Sequence, residues 1–236
     1  MLNKKVKIAI VIILLLILGY GIFYLTDYYH AEKTATDLLN GTGNVSVIKS
    51  SNGLFLNGSG NDTALIFYPG AKVEYTSYLP MFTQLASQGI DCYLVEMPFN
   101  IAFFAQNSAD DIIDNSTYSH YFIAGHSLGG VVASSYVNST DNVDGLILLA
   151  SYPTEDLSKP VLSIYGSEDK SLNLEKYNQA KPFTHDNLTE VIIDGGNHAQ
   201  FAYYGDQSGD GKAKISPQNQ QNQTVIAILN FINNNI

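Results

Sequence analysis

The sequence predicts an α/β domain, with a mostly parallel β-sheet covered by helices on both faces and a helix of membrane length in front of it. Three observations carry that expectation. From about residue 63 to the end, short and nearly continuous apolar runs alternate with amphipathic ones, the pattern of parallel strands buried on both sides. An uncharged stretch, "IAIVIILLLILGYGIFYLT", fills positions 8–26. One apolar run, "YFIAGHSLGG" at 121–130, ends abruptly in small residues around a single serine.

The N-terminal stretch is about 19 residues, about 28 Å as a helix, close to the hydrocarbon thickness of a bilayer. Lys4, Lys5 and Lys7 precede it and favour a cytoplasmic N-terminus, which leaves the body outside. A cleaved signal peptide, with Gly19-Tyr20-Gly21 as a small-x-small site, is the competing expectation; the apolar run is long for one and continues past those glycines. Either way the body is exported. Asn-x-Ser/Thr triplets at Asn44, Asn57, Asn61, Asn115, Asn138 and Asn187 agree with export in a host that glycosylates. The expected organisation is an anchor over residues 1–26, a polar stalk over 27–43, and one α/β domain over 44–236.

Within the domain, "NVSVIKSSNGLFLN" alternates β-branched and polar residues around Asn-Gly and predicts an edge hairpin. "TALIFY" predicts a strand ending at Pro-Gly. "SYLPMFTQLASQG" has helical spacing at Leu79, Phe82 and Leu85, with Gly89 placed to cap it. There follow a strand in "IDCYLVEMP", a short helix in "SADDIIDNS", a strand in "HYFIAGHS" and a helix in "LGGVVASSYVN". Strands in "VDGLILLASYP" and "PVLSIYGSED", a helix in "NLEKYNQAK" and a strand in "LTEVIIDGG" come next. The closing helix carries Val225, Ile228, Leu229 and Ile232 on one stripe. Connections after "ASYP" and "GSEDK" are too short for a large cap domain.

Composition narrows the partners. The chain has 236 residues, 45% of them hydrophobic, no arginine, and a formal net charge of −10 with every acid at or beyond Asp27. Such a body is a poor match for a phosphate backbone, so no nucleic-acid partner is expected. Cys92 is the single cysteine, lies in an apolar run, and reads as a small core residue.

Gly125-His126-Ser127-Leu128-Gly129 is a G-x-S-x-G pattern with a strand before it and a helix after it. In such a turn the serine stands clear of the sheet, and the glycines let strand and helix approach. A serine at its ordinary pKa is a feeble nucleophile and needs a base oriented by an acid. Of the five histidines, His126 is inside the turn, His30 is in the stalk, His120 opens the serine's own strand, and His185 precedes an Asp-Asn loop. His198, after the last strand in "IIDGGNHAQF", emerges at the same sheet edge as Ser127 and is the expected base. Asp169 is the expected acid, with Glu168 as understudy and Asp194 weighed behind them. Backbone N–H groups of Leu128 and Ala71 are the expected oxyanion donors, Ala71 because it follows the strand ending at Gly70. "DQSGDG" (206–211) has EF-hand-like spacing, but Pro217 stands where the closing Glu belongs, so a structural loop is expected rather than a metal site.

With these pieces in place the chain resembles the α/β-hydrolase superfamily, and more narrowly the compact alpha/beta hydrolase fold-5 family related to dienelactone hydrolases. The likeness rests on "FYPGAKVEYTSYLP", "AGHSLGG", "LSIYGSED" and "GGNHAQFAYYGDQSGDGKAKIS" and covers about residues 44 to 235. It implies a Ser127–Asp169–His198 triad and carboxylic-ester hydrolysis; acyl transfer to water on such a triad needs no cofactor, and none is expected. Ser127 stands where dienelactone hydrolases carry a cysteine, and the His-Gly-Gly-Gly of many lipases is missing. With the body outside the membrane, a small-molecule or envelope-associated ester is the expected substrate. A peptidase or thioesterase on the same triad, or a catalytically silent surface binding protein, are the competing expectations.

Overall fold

A computed structural model of the chain describes residues 3–60 and 62–236; Asn61, one of the Asn-x-Ser/Thr positions, lies outside the described residues. Helix α1 (Lys4–Thr26) is 23 residues of almost wholly apolar sequence, about 34 Å long. None of its side chains is buried, the reverse of an apolar helix in a globular core. It is long and apolar enough to cross a membrane.

The segment expected as a stalk is instead laid on the domain. Tyr29 bridges to Val73, donating from its N–H to the Lys72 carbonyl at 2.7 Å and accepting from the Glu74 N–H at 3.0 Å. The Ala31 N–H donates to the Glu74 carboxylate at 3.0 Å, and the Glu32 N–H to the Tyr203 carbonyl at 2.8 Å. The short helix α2 (Lys33–Thr36) then buries Ala35 completely. Composition alone read this stretch as polar linker; its backbone groups and one small apolar residue are what dock it.

Strands β1 (Ser46–Ser50) and β2 (Gly53–Asn57) form the expected antiparallel hairpin. After them come β3 (Thr63–Tyr68), α3 (Leu79–Ser87), β4 (Asp91–Val95), α4 (Ser108–Asp114), β5 (His120–His126) and α5 (Leu128–Ser139). The chain closes with β6 (Gly145–Leu149), β7 (Val161–Gly166), α6 (Leu174–Ala180), β8 (Leu188–Ile193) and α7 (Pro217–Asn233). The sheet has eight strands in the order β1-β2-β4-β3-β5-β6-β7-β8, with β2 antiparallel to both neighbours and every later pair parallel.

Strand alternation divides the core. Leu65 and Phe67 of β3 face one side, where α3 and α7 supply Leu79, Phe82, Ile228 and Ile232. Ala64, Ile66 and Tyr68 face the other, against Ile112 of α4 and Val132, Ala133 and Val137 of α5. All six β3 residues are buried, as a strand covered on both faces requires. Cys92 lies in this core as a free thiol. Between β6 and β7 the chain forms no helix, so that connection adds no cap over the carboxyl edge of the sheet. Parallel strands leave their following loops at that edge, and the loops after β3, β5, β7 and β8 meet there.

Candidate active site

Ser127 occupies the one-residue corner between β5 and α5. Its backbone, at φ 52° and ψ −121°, is a conformation that L-residues avoid, at a cost of about 1–3 kcal/mol. The corner is pinned by the Ser127 N–H, which donates to the Leu149 carbonyl at 2.9 Å, and by Ser151 Oγ, which donates to the Ser127 carbonyl at 2.8 Å. The two flanking glycines are required by space. A Cβ on Gly125 would meet the Gly129 backbone, and one on Gly129 would meet the Tyr68 and Pro69 carbonyls at the end of β3. That second approach sets the first turn of α5 beside the Pro69-Gly70-Ala71 loop.

His198 and Asp169 are joined at the same edge. His198 Nδ1 lies 2.9 Å from Asp169 Oδ2, with both side chains buried. The other carboxylate oxygen, Oδ1, accepts from the Ser171 and Leu172 N–H groups, each at 2.8 Å. The acid is thus fixed by its own loop and presents one oxygen to the imidazole. Glu168 points elsewhere, paired with Lys214 at 2.6 Å, which lowers its pKa. Asp194 accepts from Ser167 Oγ at 3.3 Å. Of the three acids weighed from sequence, Asp169 is the one bonded to His198.

Ser127 and His198 together line two clefts, one on each side of the serine. The larger, about 400 Å³, also takes in Ala71, Lys72, Ile101, Leu128 and Tyr29. The smaller, about 220 Å³, is walled by Val131, Ala150, Tyr152 and Leu172. Among the described residues Ser127 Oγ makes no hydrogen bond, and the Ala71 and Leu128 N–H groups have no acceptor. Both donors sit on the larger cleft, and the Leu128 N–H is at the positive end of α5. A cleft of about 440 Å³ between β8 and α7 has no titratable group in its wall and lies away from this chemistry.

Three supports were not read from sequence. Gln220 of α7, fully buried, accepts from the Asn197 N–H at 2.9 Å and donates to the Asn197 carbonyl at 2.7 Å, gripping the peptide just before His198. Asp210, in the loop with EF-hand-like spacing, accepts from the Lys170 N–H at 3.2 Å and the Ala199 N–H at 2.9 Å. Its carboxylate therefore ties the acid's loop to the histidine's loop. Tyr78 accepts from the Gly70 N–H at 3.1 Å and shares a 2.8 Å hydrogen bond with His126 Nδ1, linking the β3 loop to the serine corner. The available signal for Gln220 was its register: with Thr224 and Ile228 it falls on the buried stripe of α7, where an amide needs a partner.

The profile of the alpha/beta hydrolase family matches residues 64–222, well over half of the chain. The chain belongs to the alpha/beta hydrolase family. Solved structures agree on the fold. A protein described as a predicted CIB-like hydrolase from Thermoplasma acidophilum superposes with a TM-score of 0.57 at 13% identity, over 79% of this chain and 99% of that one. Alpha/beta hydrolase domain-containing protein 10 from mouse gives 0.58 at 12%, over 81% and 99%. Alpha/beta hydrolase GrgF from Penicillium sp. gives 0.58 at 12%, over 81% and 98%. No curated protein matches this alpha/beta hydrolase.

Proposed function

We propose that this alpha/beta hydrolase is a serine esterase, held at the outer surface of a membrane by α1 and acting through Ser127, His198 and Asp169. The observation that carries the reading is the 2.9 Å His198–Asp169 bond, buried beside a serine in strained backbone geometry at the mouth of one cleft.

Asp169 accepts the Nδ1 proton of His198 and so leaves Nε2 as the basic nitrogen. Nε2 takes the Ser127 proton as Oγ attacks the ester carbonyl, and the Ala71 and Leu128 N–H groups receive the oxyanion. The imidazolium returns its proton to the departing alcohol, leaving an acyl-serine. Water, deprotonated by the same nitrogen, releases the carboxylic acid and restores Ser127. The sum is ester plus water to acid plus alcohol, and no cofactor is needed.

The test is turnover of nitrophenyl esters by the purified full-length chain, beside Ser127→Ala and His198→Ala. Each substitution is expected to remove at least about 10³-fold of kcat. A folded wild type that hydrolyses no ester across an acyl-length series would overturn the ester assignment. Turnover of thioesters or peptides alone would move the chemistry to those bonds.

A further inference from the structure

The end of α1 is part of the active-site mouth. Tyr24, in the last turn of the apolar helix, lines the same 400 Å³ cleft as Ser127 and His198. Lys72, one residue beyond the oxyanion donor Ala71, lies 4.5 Å from the centroid of the Tyr24 ring and 3.0 Å from the carboxylate of Asp27. Two residues later Tyr29 is bonded to Lys72 and Glu74, and its hydroxyl accepts from the Ser208 N–H at 3.2 Å. The three residues from Asp27 to Tyr29 span at most about 11 Å even when extended. No spacer therefore separates the end of a membrane-length helix from the serine.

The loop after β4 borders the cleft and turns apolar side chains outward. Lys72 donates its N–H to the Asn100 carbonyl at 2.7 Å, which joins the anchor end to the loop after β4. That loop supplies Ile101 to the cleft and exposes Phe99, Phe103 and Phe104, each more than half accessible. Phe99 and Asn100 both have positive φ, at 55° and 54°, so the backbone bears strain while an aromatic ring is held out toward solvent. In water such a cluster has nothing to bury it. Beside the end of a membrane helix, aromatic side chains at this level sit in the headgroup boundary, where their transfer from water is favourable.

We propose that the Ser127 site takes its esters from the bilayer itself: amphiphiles with a long acyl chain, whose ester group lies at the headgroup boundary where the cleft opens. The inference rests on the serine-esterase reading and names its substrate class. Catalysis then needs no desorption of substrate into water. Tyr24, Tyr29 and Ile101 line the passage, and Phe103 and Phe104 hold the rim in the boundary without lining the cleft.

The experiment uses the full-length chain reconstituted in phosphatidylcholine vesicles. A fluorogenic palmitate ester dissolved in the bilayer is compared with the acetate of the same fluorophore in the aqueous phase. Two variants are run beside the wild type. One is the double substitution Phe103→Ser, Phe104→Ser. The other inserts three Glu-Ala-Ala-Ala-Lys repeats between Thr26 and Asp27, which lifts the domain by about 22 Å as a semi-rigid helix. The wild type is expected to hydrolyse both esters. Both variants should lose at least tenfold on the bilayer ester relative to the acetate, and Phe103→Ser, Phe104→Ser, which leaves the cleft wall untouched, should keep acetate turnover within twofold. Unchanged bilayer turnover in both variants, or equal loss on the two esters, would overturn the proposal. A wild type that cleaves acetate but not the bilayer ester overturns it while leaving the esterase reading intact. Cleavage of neither, without labelling by a fluorophosphonate, removes the esterase reading and the proposal with it.

Discussion

The imidazole of His126 packs against that of His198, with ring centroids 4.6 Å apart and planes inclined by 45°. Phe201 lies on another side of His126, at 5.6 Å between centroids, and Tyr78 holds its Nδ1. His126 Nε2 is buried with no partner among the described residues. Burial, and after it the neighbouring His198, hold the His126 pKa well below its ordinary value of 6.5. In the proposed mechanism His126 is a neutral platform beside His198, since a charge there would oppose an imidazolium on His198.

That arrangement predicts an acid-sensitive fold. Folded His126 stays neutral well below pH 6.5, whereas the unfolded chain takes up a proton near 6.5. The stabilisation is therefore complete above about pH 6.5 and is lost as pH falls below it, by at most about 1.4 kcal/mol per pH unit. Thermal unfolding between pH 7 and pH 5 should show a falling Tm in the wild type and a shallower fall in His126→Phe. Equal slopes in the two proteins would remove His126 from the account.

Substituting the two adjacent acids separates their roles. Asp169→Asn should lower kcat by about 10³–10⁴-fold, because the amide no longer holds the imidazole in its working tautomer. Glu168→Gln removes only a surface pair with Lys214 and should leave turnover within twofold. Steady-state ester kinetics on both variants decides the assignment.

Ser127 sits in a backbone conformation that suits glycine better than serine. Ser127→Gly should abolish turnover and raise stability by about 1 kcal/mol, the relief of strain exceeding the added unfolded-state entropy of glycine. A Tm rise of about 2–4 °C is the expected reading. A fall in Tm would show that the corner carries no strain.

Gln220 holds the peptide groups of Asn197, next to the proposed base His198, and in that proposal it is a positioning residue. Gln220→Leu leaves the Asn197 N–H and C=O without their partners in a buried place, and should cost about 1–3 kcal/mol. Slackening the His198 loop should lower kcat at least tenfold with KM nearly unchanged, whereas a purely structural role would lower the yield of folded enzyme and leave its kcat alone. Gln220→Glu keeps one acceptor for the Asn197 N–H and should recover part of the rate.

Much of this architecture was legible because local signals agreed with the global fold. "TALIFY", "HYFIAGH" and "VLSIYG" are β-rich runs buried on both sides, and they form β3, β5 and β7. Gly89, expected as a helix cap, has the positive φ of 96° that such a cap requires. The G-x-S-x-G corner could be read because its glycines answer to close backbone approach. What could not be read depends on contacts distant in sequence. Residues 28–36 look like a linker until Tyr29 meets Lys72 and Glu32 meets Tyr203. Asp210 falls in a loop expected to be structural, but its partners, the backbone N–H groups of Lys170 and Ala199, are set by the fold and not by the sequence pattern. Gln220 carries no motif, and its role appears only when α7 lies against the loop it holds.

The proposed mechanism makes Ser127 a nucleophile activated by His198. Its most direct test is fluorophosphonate labelling of the folded full-length chain, with the modified residue located by peptide mass spectrometry. A stoichiometric adduct on Ser127 is expected, absent in Ser127→Ala and slowed at least about 10³-fold in His198→Ala. A folded wild type that takes no label, or a label that survives Ser127→Ala, would contradict it.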